Sequence, residues 1–464
     1  MNKNLLIYES TNPRIKDWWR SFTRFRLFVY SSIRLMFRTE LRGFLGVLLI
    51  CTCSGVNAEQ KLSADWVKTI LLNDQTQRNY RGRVVYEDSL RQLTVKADSA
   101  HVRVGDAIYL FVHQVSYKDT VREIRADTLV FQDRDARAIF RGHVFLSDDQ
   151  RTLEAHTVQF LSKEDSLIAE GDVILLLPEG RSLRASQLRY DLIRERGNLW
   201  GQTQLQVVGE YGDTLKAQSD SIVFANQGRE LLLNGNLILR QGHTRGKAMS
   251  GAYADSAIVL SGRPLMTWTN PSRRDSVSAQ GAEILMEVSD QTIRALVLSD
   301  STRIHAMALA NGHAQKIRSD SARIVFRDET PQRMHAWGNV ILNLSERDTS
   351  RAVLSGGDLK VAYKEGKLDS LILSDGCLGS YVARDSLSES RLGGEQCMLW
   401  FSNGELAQMA ISDEAYCTRI TQDSDDVTVS GDYLLLKFVP GQLSSIRAEG
   451  AVRGHYTAEL EDAP

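Results

Sequence analysis

Apolar and polar positions alternate over short stretches of this chain, and the stretches themselves recur. Ala169-Glu170-Gly171-Asp172-Val173-Ile174-Leu175-Leu176-Leu177 opens on a glycine and runs into an apolar strand, a polar turn follows, and Leu183 to Tyr190 alternates apolar with polar and ends on an aromatic. Gly142-His143-Val144-Phe145-Leu146 leads in the same way to Val158-Gln159-Phe160, Gly235-Asn236-Leu237-Ile238-Leu239 opens another copy, and Gly338-Asn339-Val340-Ile341-Leu342 leads to Val361-Ala362-Tyr363. Val173 and Leu175 stand two residues apart, as do Leu237 and Leu239, Val340 and Leu342, and Ile324 and Phe326. Period two places each pair on one face of a sheet. The second strand of each copy carries a small residue followed by an acidic or small one: Ala97-Asp98-Ser99, Ala126-Asp127-Thr128, Ser219-Asp220-Ser221, Ser319-Asp320-Ser321, Gly357-Asp358, Gly394-Glu395 and Gly431-Asp432. These Asp residues are expected to cap turns.

The repeat step is about 30 residues in the first half and about 37 in the second. One such unit cannot bury its apolar face alone, so neighbours must stack into a continuous core. The pattern predicts an all-β, repetitive body in two consecutive segments: a first array over 80–262, a break at 263–278 where Pro264 and Pro271 fall, and a second array over 279–456, followed by an acidic tail at 457–464. Residues 59–79 read as a lead-in or cap, helical or irregular, with Trp66, Val67, Ile70 and Leu71 at helical spacing.

Charge changes the picture at the N-terminus. Residues 1–58 carry nine Lys/Arg against three Asp/Glu, so the net charge of −2 over all 464 residues leaves −8 on the remainder. An acidic body without a basic stripe excludes nucleic acid as partner. Gly43 to Cys51 is apolar but short of the roughly 20 residues a spanning helix needs. Arg38 and Arg42 precede it and Val56-Asn57-Ala58 follows, the pattern of a secretory signal peptide. The competing reading is an uncleaved anchor helix lengthened by Phe37 to Leu41. The basic, aromatic segment before it is long for a signal, which points to a true start at Met36. Ile50 and Thr52 before Cys51 and Cys53 lack the small residue that precedes a lipidated cysteine.

No catalytic constellation emerges. The nine histidines are scattered, and no GxSxG, HExxH or nucleotide-binding fingerprint occurs. Neither a metal pattern nor a cofactor motif is present, and the chain is not expected to be an enzyme. Cys377, Cys397 and Cys417 remain after the signal. Cys377 and Cys417, about one repeat apart, are placed to stack on adjacent rungs, while the simpler reading is buried, unpaired thiols.

The Gly-(Asn/Asp/His)-Val-x-Leu strand followed by Leu-x-Ala-(Asp)-x-x-x-(Phe/Tyr), clearest at Gly142 to Phe160, Gly171 to Tyr190 and Gly338 to Tyr363, resembles the OstA-like family. This family includes LptA-like periplasmic proteins and the N-terminal domain of the outer-membrane lipopolysaccharide assembly protein. The looser pattern covers about residues 80–455. The resemblance implies a folded-over antiparallel β-jellyroll, or β-taco, in the periplasm, and a role in carrying or bridging lipopolysaccharide, or a similar multi-acyl lipid, towards the outer membrane. It also implies partners of the same fold added end to end, and inner- and outer-membrane transport components. Candidate residues for an apolar, lipid-binding trough are Val144, Leu146, Val173, Leu175, Leu237, Leu239, Ile324, Phe326, Val340 and Leu342. The competing reading makes them an ordinary dry core. A structural or adhesive β-solenoid without cargo and a carbohydrate-active β-helix enzyme are the rival functions.

Overall fold

The computed structural model describes residues 60–457 apart from the short stretches 73–74, 210–213, 255–256, 271–274, 290–291, 309–312, 328–329, 347–349, 365–366, 383–387, 403–404, 422–425 and 440–441. The signal-type stretch, Met36 and residues 458–464 of the tail lie outside the described residues. The chain divides into residues 1–59 and residues 60–464, and only the second unit is described below.

Among the described residues there is no α-helix, and thirty strands join one antiparallel sheet, mostly pairing in chain order, with skips where two short strands stand in for one bent one, as where Ala257–Ser261 pairs with Glu283–Ser289 while Leu265–Asn270 pairs with Asp275–Gln280. The alternation read from the sequence is the cause. In the strand Thr152–Leu161 the residues Leu153, Ala155, Val158 and Phe160 are buried, and their neighbours are exposed or half-buried. A phase jump occurs in the middle of that strand, between Ala155 and Val158, and it recurs in most of the long strands. Ladder register breaks there: between Arg141 and Val144 in one pairing, and between Trp200 and Thr203 in another. Two consecutive residues with positive φ sit at the break, as at Gly142 (+76°) with His143 (+42°) and Gly338 (+74°) with Asn339 (+47°). This is a bulge, and a bulge bends its strand.

The bends fold the sheet in two. Strand Glu123–Gln132 would span about 33 Å if straight. Arg91 lies in a turn at one end of the strands and Asp133 in a turn at the other, yet the two side chains meet at 2.6 Å. The sheet therefore consists of two wings hinged along a line of corners, with their apolar faces turned inward. Facing rings confirm it: Tyr117 on one wing and Phe140 on the other have centroids 5.5 Å apart.

Three expectations need correction. Residues 60–63 and 66–72 form strands that pair with Gln75–Asp88, where a helical or irregular lead-in was expected. The apolar spacing in Trp66–Leu72 is compatible with either element, and pairing with the next strand decides it. The ladder also continues through 263–278: Leu265–Asn270 pairs with Thr244–Lys247 on one side and with Asp275–Gln280 on the other. Pro264 sits at a corner, where no ladder donor is needed. Cys377 and Cys397 form a disulfide across the core, where unpaired thiols were the simpler reading, and Cys417 is buried and free.

Candidate functional site: the apolar interior and its mouth

All ten trough candidates face the interior, none more than 8% exposed, and all belong to one continuous apolar cluster. Val144, Leu146, Val173, Leu175, Leu237, Leu239, Val340 and Leu342 lie on one wing, and Ile324 and Phe326 on the facing one. Their outward neighbours Phe145, Leu176 and Ile341 are exposed. The ladder brings several into one row: Leu146 is opposite Leu153, which is opposite Leu175, then Leu183, Leu205, Ala217 and Leu239. A second row on the same wing runs Ile304, Ile317, Leu342, Leu354. The interior is packed in this structure, where an outwardly reachable lining was expected.

The reason lies at the free ends of the wings. One rim is built from turns with an Asp-x-x-Arg sequence, at Asp88–Arg91, Asp119–Arg122 and Asp148–Arg151. The Asp fixes the turn. Asp119 Oδ1 accepts from the amides of Val121 (2.9 Å) and Arg122 (2.7 Å), and Asp148 Oδ1 from those of Gln150 (3.0 Å) and Arg151 (2.7 Å). The Arg three residues on then reaches across to the other rim. Arg91 lies over the Phe131 ring at 5.6 Å, Arg122 over Phe160 at 5.2 Å, and Arg151 over Tyr190 at 5.2 Å while donating to its hydroxyl. Next along, Arg181 donates to the Gly228 carbonyl at 3.0 Å, and Arg229 meets Glu179 at 3.3 Å. Phe131, Phe160 and Tyr190 are the last inward residues of their strands, so the guanidinium groups cover the edge of the apolar interior.

Electrostatics match this placement. Burial pushes the Tyr117 phenol up to about 12, with the Asp119 carboxylate adding to the effect. Burial likewise raises Tyr190, opposed by the neighbouring Arg151. The arginines went unnoticed in the sequence, although the Asp-x-x-Arg spacing repeats with the strands and was there to be read. Among the described residues no group of His, Cys, Asp and Glu could hold a metal ion.

The family model described as LptA/(LptD N-terminal domain) LPS transport protein matches residues 123–292. This segment, less than half of the chain, is similar to that domain. It contains the Gly142–Phe160 and Gly171–Tyr190 copies and spans 263–278 without interruption. The ladder continues beyond it, through the Gly338–Tyr363 copy, with the same corners and inward rows. No curated protein matches the chain. Among solved structures it is similar to the crystal structure of LptH, the LptA homologous periplasmic component of the conserved lipopolysaccharide transport device from Pseudomonas aeruginosa, at 13% identity, covering 29% of this chain and 76% of that one with a TM-score of 0.16.

Proposed function

We propose that the protein is a non-enzymatic carrier or bridge for lipopolysaccharide in the periplasm, exported by its cleaved signal peptide, with the acyl chains held between the two wings. The single observation that supports this most is the unbroken inward apolar row, from Leu146 to Leu239, within an LptA-like domain. Burying each CH₂ favours the bound state by roughly 0.8 kcal/mol. A twelve-carbon chain thus offers on the order of 10 kcal/mol gross, before ordering and association costs. Near-identical rungs make neighbouring positions nearly equal in energy, so a lipid shifts along the row without a deep trap. The Cys377–Cys397 disulfide supports an oxidising compartment.

Photo-crosslinking in cells from Val173 or Val340 tests the reading. An adduct with lipopolysaccharide is expected, and its absence at every inward position counts against an acyl-chain site. Partners of the same fold are proposed to add at the sheet's ends, next to the strands Trp66–Leu72 and Arg453–Thr457. Deleting 59–85 is expected to abolish partner co-purification while the remaining ladder folds; unchanged co-purification refutes end-to-end docking.

A further inference from the structure

An acyl chain that enters from the side must part the two rims, and what holds them together is a repeated device. Arg91, Arg122 and Arg151 follow one another at alternate strand pairs, so about 10 Å separates neighbours. Each is a permanent cation at the edge of an apolar interior. Each rests on a ring that is at most 9% exposed. Their acidic neighbours are Asp88 and Asp133 at Arg91, Asp119 at Arg122, and Asp148 at Arg151. Asp119 and Asp148 each commit one oxygen to two turn amides. Arg122 has the most unspent donors: its guanidinium is 3.9 Å from Asp119 and makes no side-chain hydrogen bond among the described residues.

We propose that these three arginines form a lateral gate that recognises the phosphate of a phosphorylated amphiphile. As the rims part, the guanidinium leaves its aromatic ring for the phosphate oxygens, whose geometry its planar fork matches, and the acyl chain slides past the uncovered ring. No covalent step is involved. The proposal rests on the lipid-carrier reading above and adds to it the headgroup chemistry and the point of entry.

The test uses the signal-free chain and two probes with the same single acyl chain: lysophosphatidic acid, which carries a phosphate, and the uncharged monoacylglycerol. Affinity is read by native mass spectrometry, and entry rate by displacement of an apolar fluorophore. The unaltered protein is expected to prefer the phosphate probe by about tenfold, the worth of one charge-assisted contact. Arg122→Ala narrows that preference and speeds entry of the uncharged probe. The triple variant Arg91→Lys, Arg122→Lys, Arg151→Lys keeps the preference but speeds entry of both probes, because an ammonium lacks the planar face that lies on the ring. Circular dichroism confirms folding, and should Arg122→Ala not fold, the lysine variant still decides. Equal affinity for the two probes overturns the gate while leaving an acyl-chain site standing, as does a lysine variant with unaltered entry rates. If neither probe binds, the lipid-carrier reading falls and the gate with it.

Discussion

At Gly338 the backbone turns through φ +74°, and a Cβ there would sit 2.4 Å from Asp320 Oδ2. That carboxylate also accepts a hydrogen bond from Asn339 Nδ2 at 2.9 Å. Gly142 stands in the same relation to Asp127, and Gly235 to Asp220. Asp127, Asp220 and Asp320 are therefore partners of the next strand's corner, a different role from the turn cap expected of them. Gly376 also has positive φ (+83°), but nothing lies within 4 Å of its missing Cβ. Gly376→Ala is expected to cost about 1 kcal/mol from backbone strain alone, and Gly338→Ala about 1 kcal/mol more, because Asp320 must rotate away from Asn339. Equal shifts in the denaturation midpoints would show that the carboxylate does nothing at the corner. Cys417 makes a second prediction. Burial pushes its thiol up to about 11, so the neutral form is favoured in the folded state. The resulting stabilisation is complete below the ordinary thiol pKa and disappears as pH rises through about 11. At pH 8 iodoacetamide should spare Cys417 in the folded protein. In denaturant without reductant it should label Cys417 but not Cys377 or Cys397, and mass spectrometry of the peptides reads both. The pairing was not legible in sequence, since three cysteines allow several partnerships and only the fold brings Cys377 within 6.0 Å of Cys397, Cα to Cα.

Single strands were legible where tertiary context agrees with local pattern. The inward pairs Val144/Leu146 and Val173/Leu175 follow from period two, and the structure buries all four. The pattern misled in Trp66–Leu72, because a strand at the sheet's end has only one neighbour and no buried face to enforce alternation. Trp66 is 50% exposed and Leu71 71%. An exposed apolar end strand invites pairing by another chain. Trp66→Lys with Leu71→Lys should change stability by no more than about 0.5 kcal/mol while weakening self-association or partner capture in sedimentation or pull-down experiments. A large loss of stability with unchanged association would mean that the strand serves the fold, not docking. Prolines were read as a domain break because a ladder excludes them; Pro264 shows that a corner within a ladder accommodates one equally well.

For the molecule as a whole, the repeat announced a stacked sheet, but the meeting of its rims depends on contacts such as Arg91 with Asp133 and Arg151 with Tyr190, between residues about 40 apart. No local alternation encodes such a contact. Only the coincidence of two periods, Asp-x-x-Arg turns and strand-terminal aromatics, hints at it. The same topology governs how damage spreads. Each strand contacts its ladder neighbours and the facing wing, so stability is close to a sum of nearest-neighbour terms. Phe140 is fully buried, between Tyr117 at 5.5 Å and Phe160 at 6.0 Å. Phe140→Ala should cost about 3–5 kcal/mol locally. Hydrogen exchange should then speed up in 108–161, the strands bearing those rings and the strand between them, while the amides of 330–364 keep their protection. Uniform loss of protection along the chain would mean that the folded sheet opens as one unit. A gate formed by a few rungs would then have no independent motion, because parting the rims at Arg122 would require the entire ladder to yield.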